Sequence, residues 1–390
     1  MLNGVRVVDL TGPSGQYCGK LLADLGARVV KLEPLEGDRG RRMKPFKGDQ
    51  IESNESLFWA YYNTNKHSLA FDLASGQGQE VFERLVRWAD VIIQTGSELH
   101  YDELSRLNPG LILASISPFG EGPYSGYRAT SQTVFAMSGI MKTIGPPQGP
   151  PVAAPGQIPL DLAAVDAASG ILCALLARQK TGLGQHVSVA ALDVLAAQVN
   201  PRPREQFVTA RHDRVYNPTL APGGTYDCAD GGVELTIVLL GHWQGLKELL
   251  DNPAEIAGPE WNDRGYREAH ADQLDEIVAA AFASRSQREL VQEAQRLHVP
   301  CGPINTVATF AADPQIEARG FFEDMTTPGL GPHKMAGAPY RMTAGAWNLQ
   351  PAPRLGEHTA GILADELGYS RAEIAALRSA NVVLCAEDGV

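Results

Sequence analysis

Three short segments at the start of the chain constrain its fold most. Residues 5–10 form an apolar run closed by Thr11-Gly-Pro-Ser-Gly15. Residues 16–26 follow, with Leu21, Leu22 and Leu25 on one helical face and Gly26 as a stop, and residues 28–33 form a second apolar run. The spacing predicts strand, helix, strand, the unit that joins parallel neighbours in a sheet. The alternation continues with a helix over 76–88, a strand at 91–94, a short helix at 101–107 and a strand at 111–116. Repetition of this kind predicts an α/β protein with a Rossmann-like, doubly wound sheet.

At 390 residues the chain exceeds what one hydrophobic core usually serves, so two domains are expected. A Pro/Gly-rich connection over 142–158 precedes a helix at 162–180 and a strand at 186–190. Composition shifts near 200–225. A hairpin over 225–240, turning at Asp230-Gly-Gly232, and helices near 242–250, 271–284 and 286–297 then predict a smaller α+β domain. We therefore divide the chain into a large domain over 1–200, a small domain over 225–325, and a C-terminal segment over 330–390 that returns to the large domain.

The formal charge of −12 argues against nucleic acid or an anionic membrane as the main partner. An anionic ligand would need a local basic patch, and residues 37–47 supply one, with five cations against one acid. Arg39, Arg41 and Arg42 lie in this run and Lys66 follows it. Such a run is ordinarily a solvated loop, but here it follows the second strand, beyond the carboxyl ends where α/β sheets place ligands. The five cysteines are scattered and read as reduced, mostly buried thiols, and no metal-ligand spacing is present. With no signal-peptide pattern and no stretch read as bilayer-spanning, the expectation is a cytoplasmic protein without membrane contact.

Gly12-Pro-Ser-Gly-Gln-Tyr-Cys-Gly-Lys20 follows a strand and opens a helix, yet has the spacing of neither a dinucleotide fingerprint nor a P-loop. Asp161, in Pro159-Leu-Asp-Leu-Ala-Ala, stands alone at the mouth of a small-residue helix, without Ser, Cys or His partners nearby in sequence. Its residue type suits an N-cap, and the helix dipole would keep it ionised. It equally suits a carboxylate that attacks an acyl group. Asp166, well round the same helix, is the fallback. Gly223-Gly224 reads as a mobile turn or a loop covering a site.

Taken in order, the motifs resemble family III coenzyme A transferases, a group that includes the α-methylacyl-CoA racemases. The resemblance runs through Gly4-Val-Arg-Val-Val-Asp-Leu10, the stretch from Leu21 to Pro34, Asn65-Lys-His-Ser-Leu69, Ala89-Asp-Val-Ile92, Asn108-Pro-Gly-Leu-Ile112 and Phe119-Gly-Glu-Gly-Pro123. It continues through Ser138-Gly-Ile-Met141, Arg178-Gln-Lys-Thr-Gly-Leu-Gly-Gln185, Val299-Pro-Cys-Gly-Pro303, Ala312-Asp-Pro-Gln315 and Gly356-Glu-His358.

The resemblance implies a transferase that moves CoA from an acyl-CoA thioester to a carboxylic acid, in an interlinked homodimer or a heteromer, with no cofactor beyond CoA as substrate. It implies Asp161 as nucleophile, Gly223 and Gly224 as oxyanion donors on a glycine loop, and Arg39, Arg41, Arg42, Lys66 and Thr95 around CoA. Two alternatives stay open: an acyl-CoA racemase or isomerase, and a catalytically silent CoA-binding subunit. Several positions depart from the family pattern. Val165 replaces a glycine, Thr95-Gly-Ser-Glu98 replaces an Asn-Phe-Arg-Pro-Gly segment, and Thr130-Ser131 occupies the place of the racemases' His-Asp pair. A threonine hydroxyl is no base near neutral pH, which disfavours racemisation by that dyad.

Overall fold

Six apolar segments build a parallel sheet in the computed structural model, which describes residues 1–48, 55–96, 98–145, 149–198, 221–344 and 347–386. They are β1 (Arg6–Leu10), β2 (Arg28–Glu33), β3 (His67–Phe71), β4 (Val91–Thr95), β5 (Ile112–Ser117) and β6 (His186–Ala190). Their spatial order is 3-2-1-4-5-6, every neighbouring pair parallel. The order reverses direction between β1 and β4, which opens a crevice at their carboxyl ends. Val383–Leu384, near the C-terminus, pairs antiparallel with β3 and extends that edge.

Alternation along each strand sends side chains into two cores. Val7, Val29, Ile93 and Ala114 face α1 (Gln16–Asp24), while Val8, Val30, Ile92 and Leu113 pack on the opposite face with Val81 and Leu85. The first core also receives the helix Ile158–Thr181 through Ala163, Ala164, Ala167 and Ile171. That helix starts four residues before the expected position and ends at Gly182, whose φ of 72° is the left-handed conformation favoured at a helix C-terminus. Its 24 residues are long and apolar enough to cross a membrane, which corrects the reading that no such stretch exists. It packs one small-residue face into the large unit's core.

The chain forms two compact units, one of residues 1–145, 150–212 and 321–390, the other of residues 146–149 and 213–320. The second unit contains a three-stranded antiparallel sheet, Gly223–Cys228, Gly231–Thr236 and Cys301–Pro303. Its hairpin turns at Ala229-Asp230, two residues earlier than the glycines suggested. Trp243, Leu246, Leu274, Val278 and Phe282 form its core with Val233 and Leu235. The first unit includes a further hairpin, Phe322–Thr327 with Gly331–Ala336, that the sequence reading did not anticipate. Among the cysteines, Cys18 and Cys301 are buried but Cys173 is exposed, so the expectation of mostly buried thiols holds for only part of the set.

Candidate active site

Buried charge organises the carboxyl ends of β1 and β2 and the start of β3. Glu33, the last residue of β2, receives two hydrogen bonds from the Arg41 guanidinium, both at 2.7 Å, and a third from Ser68 at 2.6 Å. Arg41 also donates to the Pro353 carbonyl at 3.0 Å and lies 3.8 Å from the centre of the Trp59 ring. Lys66 Nζ is fully enclosed and donates to Asp9 Oδ2, the Gln16 carbonyl and Asn63 Oδ1 at 2.8, 2.8 and 2.9 Å. Three acceptors exhaust an ammonium group. Asp9 in turn accepts from the Thr11 amide and hydroxyl, which fixes the turn after β1. Gly19 on α1 is required by this packing, because a Cβ there would sit 2.2 Å from Asp9 Oδ2.

Two of the expected CoA ligands are engaged in these contacts. Arg41 and Lys66 are buried ion-pair partners whose hydrogen bonds hold the turns. A run of cations in sequence does not reveal that carboxylates from β1 and β2 claim two of them. Arg39 and Arg42, on the same short 3-10 turn, are exposed.

The crevice at the reversal point forms a cleft of about 510 Å³. Its lining combines apolar side chains such as Leu10, Leu35, Phe71 and Leu99 with Gly12, Thr95 and the charged Lys31, Glu36, Asp38, Asp72 and Glu98. Thr95 Oγ1 accepts from the Gly12 amide at 3.0 Å, tying the ends of β1 and β4 together across the crevice. Thr95 thus belongs to the cleft wall despite departing from the family's pattern there.

Asp161 lies inside the first turn of the helix Ile158–Thr181, not at its N-cap, which is Gln157. The expectation of a capping carboxylate is corrected accordingly: the Asp161 amide already bonds the Gln157 carbonyl at 2.9 Å, and the side chain turns to Tyr62. Tyr62 Oη donates to Asp161 Oδ2 at 2.9 Å. No described donor reaches Oδ1. Burial pushes the Asp161 carboxyl up from the ordinary range to about 6, with the Tyr62 bond opposing the rise. The helix terminus does not hold it at the normal value, but above pH 6 it is ionised, partly desolvated and has one oxygen that no described donor reaches.

Tyr62 ends the short helix Leu57–Tyr62, which Ser56 caps through the Trp59 amide. Its ring is fixed by Phe58 at 4.4 Å, Tyr61 at 4.9 Å and Tyr17 at 5.9 Å between centroids. Sequence reasoning missed Tyr62, which is 99 residues from Asp161. The only available signal was the aromatic run Phe58-Trp-Ala-Tyr-Tyr62 ahead of Asn63.

The other expected residues fall elsewhere. Gly223 and Gly224 open a strand and pair with Thr236 and Leu235, so the expected mobile glycine loop is instead part of a sheet. Asp166 sits further along the Asp161 helix, half-buried. Thr130 caps the helix Ser131–Met137 through the Thr133 amide, in a capping box with Thr133. That role uses it structurally at the place where a racemase would need a base.

Comparison with known proteins places this geometry. The CoA-transferase family III model matches residues 2–359. A formyl-CoA:oxalate CoA-transferase of Streptomyces coelicolor is 29% identical, covering 98% of this chain and 99% of its own length. The BbsE subunit of a succinyl-CoA:(R)-benzylsuccinate CoA-transferase of Thauera aromatica is 33% identical over 95% of each chain. A CAIB/BAIF family protein from Brucella suis superposes with a TM-score of 0.83 at 29% identity, over 93% of this chain and 98% of that one. A parallel sheet with a cleft at its reversal point, an isolated half-buried carboxylate and a match spanning nearly all the residues lead to one conclusion: the chain is a member of CoA-transferase family III.

Proposed function

We propose that this CoA-transferase works through covalent catalysis at Asp161. The carboxylate attacks the thioester carbon of an acyl-CoA and expels CoA thiolate, leaving a mixed aspartyl anhydride. The thiolate returns to the aspartyl carbonyl carbon, expels the donor acid and gives an aspartyl-CoA thioester. An acceptor carboxylate then attacks the same carbon, releasing thiolate and forming a second anhydride. The thiolate finally attacks the acceptor's carbonyl, forming the product thioester and restoring Asp161. Each step exchanges one acyl bond for another, which divides a difficult transfer into easier ones.

One observation carries this reading. Asp161 is half-buried and ionised only above about pH 6, with Oδ2 held by Tyr62 and Oδ1 reached by no described donor. A carboxylate stripped of part of its water is a better nucleophile than one in bulk solvent. The CoA moiety is assigned to the cleft at the ends of β1 and β4 in a Rossmann-like unit, with Thr95 in its wall and the exposed Arg39 and Arg42 for its phosphates.

The assembly we propose is an interlinked homodimer. Val165, Leu176 and Leu183, on and just after the Asp161 helix, are exposed apolar side chains that a second chain would cover. The relative named as a subunit makes a heteromer the alternative. The test is Asp161→Asn: CoA exchange between acids should fall by at least about 10³-fold, the scale of removing a covalent nucleophile. Undiminished turnover, with deamidation excluded, would move the nucleophile to Asp166.

A further inference from the structure

We infer that Tyr62 is a catalytic residue of this enzyme, the hydrogen-bond donor to the oxyanion that forms on Asp161 itself. The inference rests on the aspartyl anhydride reading. In that chemistry the two oxygens of Asp161 have different fates. Oδ1, which no described donor reaches, forms the bond to the donor acyl group, so Oδ2 becomes the carbonyl oxygen of the aspartyl half of the anhydride. When the thiolate adds to the Asp161 carboxyl carbon, the carbonyl electron pair moves onto Oδ2. Collapse breaks the bond to Oδ1, which leaves with the donor acid. When the acceptor carboxylate later adds to the same carbon, the charge forms on Oδ2 again and thiolate leaves.

Tyr62 Oη stands 2.9 Å from Oδ2 before any of this happens, within the range at which an oxyanion donor is effective. Its ring is locked by Phe58, Tyr61 and Tyr17, so the donor is fixed before charge develops. Burial and the adjacent Asp161 carboxylate push the phenol well above its ordinary range, and it stays a proton donor at every working pH. The buried Gln157 side chain lies beside the same phenol and partly opposes that rise.

The proposal separates the steps of the reaction. Tyr62 serves the two additions to the Asp161 carbon, not the first attack on the donor thioester or the last on the acceptor acyl group. In the first attack its bond to Oδ2 even restrains the nucleophile.

The experiment is a rapid-quench comparison of the wild-type enzyme with Tyr62→Phe, which keeps the ring. Each is mixed with acyl-CoA donor alone. Release of free thiol reports the first step, and intact mass with peptide mapping reports the CoA adduct on Asp161. Tyr62→Phe should release thiol at or above the wild-type rate. It should form the Asp161–CoA adduct about 10²-fold more slowly, the usual effect of losing one oxyanion donor. Adduct formation at the wild-type rate, or equal slowing of both steps, would overturn the assignment to Tyr62. Absence of any Asp161 adduct on the wild-type enzyme would instead overturn the aspartyl mechanism and this inference with it.

Discussion

Tyr62 and Asp161, 99 residues apart, meet through a 2.9 Å hydrogen bond that occupies one carboxylate oxygen, while no described donor reaches the other. The two oxygens of one side chain are thereby made inequivalent before substrate arrives. Several consequences of the structure follow from that bond and from the buried charges beside it.

The rate should follow the ionisation of Asp161. Burial raises its carboxyl to about 6, against an ordinary value of 3.8, so the nucleophile is lost as pH falls through 6. The kcat/KM profile for donor acyl-CoA should show an acidic limb near pH 6 and a plateau above pH 7. Because the Tyr62 bond lowers the value, Tyr62→Phe should move that limb upward. A limb near pH 4 would contradict this.

The same shift has a sign for stability. A carboxyl with a raised folded-state pKa costs stability where it is ionised, and that cost disappears as pH falls from about 6 towards 3.8. Asp161→Asn should therefore stabilise the fold at pH 7, with the gain shrinking towards pH 4. Denaturant titrations at the two pH values measure it.

Arg41 and Arg42, adjacent in sequence, should behave oppositely. Arg41→Gln leaves Glu33 buried without its partner and should destabilise by about 3–5 kcal/mol. Arg42→Ala should cost less than about 0.5 kcal/mol in stability, yet raise KM for acyl-CoA in a salt-dependent way. Thermal melts beside steady-state kinetics separate the two.

Thr95→Val removes the acceptor for the Gly12 amide while keeping the side-chain shape. Loss of that bond should cost about 1 kcal/mol, and KM for the donor should rise severalfold with little change in kcat. Thr95→Ser, which retains the hydroxyl, should restore KM. A kcat effect without a KM effect would place Thr95 in the chemistry instead of the cleft wall.

Much of the sheet was legible because buried parallel strands are near-continuous apolar runs such as Val91-Ile-Ile and Leu111-Ile-Leu. The strand His67–Phe71 was missed, since it opens on His67-Ser68 and those polar groups meet partners only in the folded chain. The hairpin at 322–336 was missed because its strands are rich in polar residues such as Glu323, Asp324, His333 and Lys334. At the site, Asp161 was identifiable through its place before the helix and the family resemblance. The burial of Lys66 and Arg41 was not legible, because Asp9 and Glu33, the carboxylates that hold them, are 57 and 8 residues away. Tyr62 was invisible for the same reason: its meaning lies in a contact between distant segments.

The central claim is that Asp161 becomes covalently acylated. The enzyme is incubated with an acyl-CoA donor, quenched with hydroxylamine and digested, and the peptide spanning Asp161 is weighed. The account predicts a hydroxamate at Asp161 that requires donor and is absent from Asp161→Asn. Transferase turnover with this peptide unmodified would contradict it.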